Sequence, residues 1–124
     1  MKMKKIMIVD DEPDIRTTVK AVLEKNGYKV VTAVNADDCF KKIKGGETPD
    51  LILMDIIMPK LNGFATMAEI QKDEELKTIP IIVISNSGQP VELDEAKRLG
   101  ARDWLLKTEF DPQELVGKIK AIIA

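Results

Sequence analysis

The sequence predicts an α/β fold, a doubly wound five-stranded parallel sheet whose strands alternate with five helices. Three observations carry that expectation. Short apolar runs recur at Lys5-Ile6-Met7-Ile8-Val9, Leu51-Ile52-Leu53-Met54, Ile81-Ile82-Val83-Ile84 and Trp104-Leu105-Leu106. Longer segments of helical period separate them, as in repeated βα units. The Leu51 to Met54 run lacks polar alternation, which marks a central parallel strand covered on both faces. Right-handed crossovers then leave a doubly wound sheet as the natural solution. At 124 residues the chain is expected to be one domain, 1–124.

Each element has its own local reason. Pro13 suits the first helical position after Asp10-Asp11, with Ile15, Val19, Val22 and Leu23 on one face. Asn26-Gly27 stops this helix, Gly27 suiting the left-handed position past its end. A short strand is expected from Tyr28 to Thr32. Asn35 is placed to cap a second helix that turns Ala36, Cys39, Phe40 and Ile43 inward and closes at Gly45-Gly46. After the central strand, Pro59, Asn62 and Gly63 form a loop before a helix burying Phe64, Met67 and Ile70. Pro80 opens the fourth strand. A helix from about Pro90 carries Val91, Leu93, Ala96 and Leu99 and ends at Gly100. The last strand is expected from Asp103 to Leu106. Asp111-Pro112-Gln113-Glu114 reads as cap, first-turn proline and third-position glutamate, with Leu115, Ile119, Ile122 and Ile123 buried beyond it.

Composition narrows the function. Charged residues make up 32%, yet the signs are mixed and the net charge is only −2. No basic stripe is available to neutralise phosphates, so no direct nucleic-acid partner is expected. No apolar stretch approaches the roughly 20 residues that span a bilayer, and no secretory signal or membrane partner is expected. A single cysteine, Cys39, forms no internal disulfide and reads as a small core residue, consistent with a cytoplasmic protein. Histidine is absent. That removes the usual general base and leaves metal chemistry to the carboxylates.

The apolar runs end in Asp10-Asp11, Asp55, Ser85 and Lys107. In an open parallel sheet, chemistry collects outside the carboxyl ends of the strands, so these groups are expected at one edge. Two carboxylates within about 5 Å repel by roughly 3 kcal/mol at an effective dielectric of 20. Three of them need a proton or a cation. Hard oxygen donors without nitrogen or sulfur favour Mg²⁺ or a similar ion, and Lys107 adds positive charge. This is equipment for phosphoryl transfer, with Asp55, on the most buried strand, as the candidate nucleophile. Ser85 could donate to a phosphoryl oxygen. Taken singly, each residue has a plainer reading: Asp-Asp as a helix entry, Asp55 or Ser85 as a turn residue, Lys107 as a snorkelling strand end, Trp104 as core. Five coincidences at one edge are a weaker account than one site.

Asp10-Asp11, the run to Asp55 followed by Met58-Pro59 and Asn62-Gly63, Ser85 and Lys107 together resemble the signature of response-regulator receiver domains. The resemblance covers essentially the whole chain. It implies the flavodoxin-like receiver fold, strand order 2-1-3-4-5, and a phosphoacceptor switch of two-component signalling. Asp55 would accept a phosphoryl group from a histidine kinase or phosphotransfer protein. Asp10, Asp11, Asp55 and the backbone carbonyl of Ile57 would bind Mg²⁺ (or Mn²⁺), Asp10 largely through water. Lys107 would pair with the phosphate, and Ser85 with Trp104 would form the switch pair. Downstream targets would dock on the face of helix 4, strand 5 and helix 5. Catalysis would be limited to self-phosphorylation and self-dephosphorylation.

The chain departs from the family pattern in three places. Thr108 follows Lys107 where proline is usual. A cis bond before a non-proline residue costs roughly 3–4 kcal/mol, against about 0.5–1 before proline, so the Lys107–Thr108 bond is expected trans, or cis and strained. Trp104 replaces a smaller aromatic residue. Asn86 replaces a small residue; with Ile57 and Ser87 it is expected to tune the lifetime of the acyl phosphate. The competing readings are an aspartate-nucleophile phosphohydrolase, a flavodoxin-like cofactor binder and an adaptor with an impaired pocket. The first lacks its Asp-x-Asp pair, and the acidic Asp10-Asp11-Glu12 loop would repel a bound phosphate in the second.

Overall fold

A computed structural model describes residues 3–55, 63–85, 90–107 and 111–123, without the side chains of 63, 85 and 90–92. Strands and helices alternate as expected: β1 (Lys5–Val9), α1 (Pro13–Lys25), β2 (Lys29–Ala33), α2 (Ala36–Lys44), β3 (Leu51–Asp55), α3 (Gly63–Lys72), β4 (Ile81–Ser85), α4 (Pro90–Arg98), β5 (Ala101–Leu106) and α5 (Pro112–Ile123). All pairings are parallel and the strand order is β2-β1-β3-β4-β5.

Side-chain alternation divides the core between the two sheet faces. Ile6, Ile8, Leu51, Leu53, Ile82, Ile84 and Leu105 meet Val19 and Leu23 of α1 and Leu115, Val116 and Ile119 of α5. On the other face Met7, Val9, Ile52, Met54, Ile81 and Val83 meet Cys39 and Ile43 of α2, Met67 and Ile70 of α3 and Ala96 of α4. Every residue of β3 is buried, as its unbroken apolar run requires.

Two strands begin elsewhere than the sequence pattern suggests. β2 starts at Lys29 because the Tyr28 amide donates to the Leu23 carbonyl at 3.0 Å, while Gly27 (φ +90°) donates to Glu24 at 3.1 Å. This Schellman closure of α1 keeps Tyr28 out of the ladder and packs it beside Leu23. β5 starts earlier than expected, at Ala101. Ile81 faces Ala101 but Ile82 faces Asp103, so Arg102 is an extra residue in a bulge. The polar Arg102-Asp103 pair and the bulge conceal the start of this edge strand.

The caps follow the sequence. Asn35 Oδ1 accepts from the Asp38 amide at 2.8 Å to start α2, and Asp111 Oδ1 accepts from the Gln113 amide at 2.9 Å to start α5. Among the described residues no helix is long and apolar enough to cross a membrane.

Candidate functional site

Register brings the acids together. Val9 of β1 faces Met54 of β3, so one residue further on Asp10 and Asp55 stand side by side where the two strands end. Continuing the alternation of Ile6 and Ile8, and of Leu51 and Leu53, sends both carboxylates to the α1/α5 face. The chain leaves β1 toward β2 on one side while β3 lies on the other, so the acids occupy the crevice at the topological switch point. Both Asp10 and Asp55 are fully buried.

Lys107 arrives from the end of β5, just past the Ser85–Leu106 pair of the β4/β5 register. Its Nζ lies 2.9 Å from Asp55 Oδ2, 2.9 Å from Glu12 Oε1 and 3.2 Å from Asp10 Oδ2. The side chain is 7% exposed. Asp10 is held in turn: its Oδ1 accepts from the Glu12 amide at 2.9 Å, and its carbonyl accepts from Arg16 Nη1 at 2.8 Å. One carboxylate oxygen each from Asp10, Asp11, Glu12 and Asp55 can lie within 4.8 Å of the others.

Electrostatics follow from this crowding. Burial pushes the Asp10 carboxyl above its ordinary range; the Glu12 amide and the Lys107 charge pull down without cancelling it. Burial alone would lower the Lys107 ammonium. Its hydrogen bonds to Glu12 and Asp55, and the charges of Asp55 and Asp10, outweigh that and hold it above the ordinary lysine range. Asp10 Oδ2 is buried and accepts no hydrogen bond among the described residues, although it lies in the 3.2 Å ion pair with Lys107, an ammonium shared with Asp55 and Glu12. An anionic oxygen in that state is costly and is matched by a cation. Four hard oxygen donors and no nitrogen or sulfur donor fit a magnesium-type ion.

The structure thus gathers Asp10, Asp11, Asp55 and Lys107. Trp104 sits in the middle of β5 opposite Val83, half-buried against the core on the opposite face. Lys97 Nζ lies 5.4 Å and Lys118 Nζ 5.8 Å from its ring centroid. Ser85 closes β4 by its backbone, and its side chain lies outside the described residues. Ile57, Asn86, Ser87 and the Lys107–Thr108 bond also fall outside them.

Two contributors were not singled out from the sequence, Glu12 and Arg16. Glu12 has an extended backbone (φ −89°, ψ 115°). Residues two apart in an extended segment point the same way, which was the available signal that Asp10 and Glu12 would converge. Nothing in the sequence marked Arg16.

Residues 6–120 match the response regulator receiver domain family, and the chain belongs to it. PilH of Pseudomonas aeruginosa is 40% identical over 122 residues, covering 98% of this chain and 99% of PilH. The chemotaxis protein CheY4 of Vibrio cholerae superposes with a TM-score of 0.91 at 30% identity, covering 98% of this chain and 99% of CheY4. The response regulator TrrA of Thermotoga maritima gives 0.83 at 33% identity, covering 97% of this chain and 99% of TrrA. Against other curated relatives, among them probable transcriptional regulators, the chain spans about half their length.

Proposed function

We propose that residues 1–124 form a single receiver domain acting as a phosphoacceptor switch, with Asp55 taking a phosphoryl group from a histidine kinase or phosphotransfer protein. The observation that carries this reading is the buried Asp55 carboxylate, 2.9 Å from Lys107 and clustered with three further acids. The TrrA structure, solved in complex with Mg(2+)-BeF, supports it by similarity.

An Asp55 oxygen forms the new O–P bond while the bond from phosphorus to the donor's leaving atom breaks, its electron pair departing with the donor. Burial at the end of β3 fixes the carboxylate's direction, and positioning is most of what this chemistry asks of a protein. Lys107 turns one N–H toward the incoming phosphoryl oxygen. Asp10, Asp11 and Asp55, with the Ile57 carbonyl, would hold a divalent ion such as Mg²⁺ (or Mn²⁺), which would supply charge neutralisation when bound. Ser85 and Trp104 carry the change to the α4–β5–α5 face, where a target protein docks. Ile57, Asn86 and Ser87 set how long the acyl phosphate lasts. The domain is cytoplasmic and turns over no substrate beyond its own phosphate.

Incubation with Mg²⁺ and a small phosphodonor, followed by intact-mass measurement, tests this directly. One added phosphoryl group is expected, lost in Asp55→Asn and with a chelator. An unmodified wild-type mass, or a modification that survives Asp55→Asn, rejects it.

A further inference from the structure

We infer that Glu12 is the exchangeable partner of Lys107: it holds one ammonium N–H in the resting protein and yields it to the phosphoryl oxygen arriving on Asp55. The inference rests on the phosphoacceptor reading above and gives a positioning role to Glu12, a member of the acidic cluster to which that reading assigns no part.

A lysine ammonium has three N–H donors. Here three carboxylates surround it: Glu12 Oε1 and Asp55 Oδ2 each accept from it at 2.9 Å, and Asp10 accepts more weakly at Oδ1, 3.5 Å away, with its Oδ2 in ion-pair contact at 3.2 Å. A phosphoryl oxygen therefore meets an ammonium that is already fully engaged, and one contact must open. Asp10 is fully buried, with its Oδ1 tied to the Glu12 amide and its carbonyl to Arg16. Removing it from the ammonium would leave a buried carboxylate with less compensation. Asp55 is the acceptor itself. The Glu12 side chain is 53% exposed, so its carboxylate passes into water at little cost.

Glu12 also places a negative charge beside the route of an anionic phosphoryl donor. Both effects have one sign: Glu12 restrains loading. Its removal frees the third N–H and lowers the local negative charge. The backbone bonds of Glu12, its amide to Asp10 Oδ1 at 2.9 Å and its carbonyl to the Arg16 amide at 3.1 Å, do not depend on the side chain. Substitution at this position is therefore compatible with the fold, which a thermal melt checks.

The experiment measures beryllofluoride binding, a phosphoryl-shaped anion, by calorimetry at saturating Mg²⁺ for wild type, Glu12→Gln and Glu12→Ala. Saturation removes any difference in Mg²⁺ affinity, which is titrated separately without beryllofluoride. Phosphorylation by a small anionic phosphodonor is timed under the same conditions. Both variants are expected to bind beryllofluoride roughly three- to tenfold more tightly and to load faster, the scale of one partly screened charge. Unchanged or weaker binding in the variants, with wild type binding normally, overturns the role of Glu12 and leaves the phosphoacceptor reading standing. No binding to wild type overturns both.

Discussion

Lys118 of α5 reaches back to β5 and pairs with Asp103, Nζ to Oδ1 at 2.7 Å, which holds the same ammonium 5.8 Å from the Trp104 ring centroid. Lys97 of α4 approaches the ring to 5.4 Å. One indole thus links α4, β5 and α5. An ammonium over an indole contributes about 0.5–1 kcal/mol at exposed sites, and an exposed ion pair about 0.2–1 kcal/mol. Lys118→Ala is expected to destabilise the protein by about 1 kcal/mol, and Lys97→Ala by less, because it breaks only the ring contact. Trp104 is the sole tryptophan, so its fluorescence reports both the urea transition and the altered ring environment. An unchanged emission spectrum in the Lys97→Ala/Lys118→Ala protein would remove the clamp.

Lys107 compensates two fully buried carboxylates, Asp10 and Asp55. Replacing it with methionine keeps a similar length and deletes the charge. Breaking a buried ion pair by removing one partner costs about 3–5 kcal/mol, and about 3 is expected here because Asp10 can take up a proton. The acids then need a cation more than before. Mg²⁺ should raise the melting temperature of Lys107→Met by more than it raises that of wild type. Equal shifts would mean that lysine and metal do not share the same charges.

The raised pKa of Asp10 has a definite sign. Its folded value lies above the unfolded one, so the folded state holds the proton more tightly. Its contribution to stability falls as pH rises from 3.8 through the folded value, and the full penalty applies above that. Lys107 works in the other direction: its raised pKa stabilises fully below 10.5 and is lost as pH climbs through the folded value. Burial thus disfavours the charged form of Asp10, and Mg²⁺ relieves that cost by binding the carboxylate, in competition with the proton as pH falls. The Mg²⁺-induced rise in melting temperature should be larger at about pH 7.5 than at about pH 5. A shift independent of pH would separate Asp10 from the metal site.

What the sequence made legible was local. Asn35, Asp111 and Gly27 act within a few residues of themselves, and each does what its neighbours suggested. The buried β3 was legible because an unbroken apolar run admits few other places. Of the site, Asp10, Asp11, Asp55 and Lys107 could be gathered because each follows an apolar run and parallel strands align their ends. Glu12 was read only as part of a repelling loop. Its pairing with Lys107 spans 95 positions and depends on where β5 ends relative to β1, a relation no local pattern encodes. The Arg102 bulge was hidden for the same reason: it is defined by the partner strand. The start of β2 turned on a Schellman closure that takes the Tyr28 amide away from the sheet.

Cys39 gives a test of the core that is independent of the acidic site. It is fully buried on the inner face of α2, its Sγ 3.5 Å from Met7 Sδ of β1. Burial, with a smaller push from the Asp38 charge, raises its thiol from 9.0 to about 12. The thiolate is the reactive form, and at about pH 8 only about one in ten thousand native thiols is ionised. Native protein should therefore react with a disulfide reagent only as fast as it opens, then release one equivalent promptly in denaturant. Because opening limits the native reaction, its rate should follow conditions that alter stability, rising in Lys107→Met and falling with Mg²⁺. Prompt reaction of the native thiol would place Cys39 at the surface and α2 off the sheet.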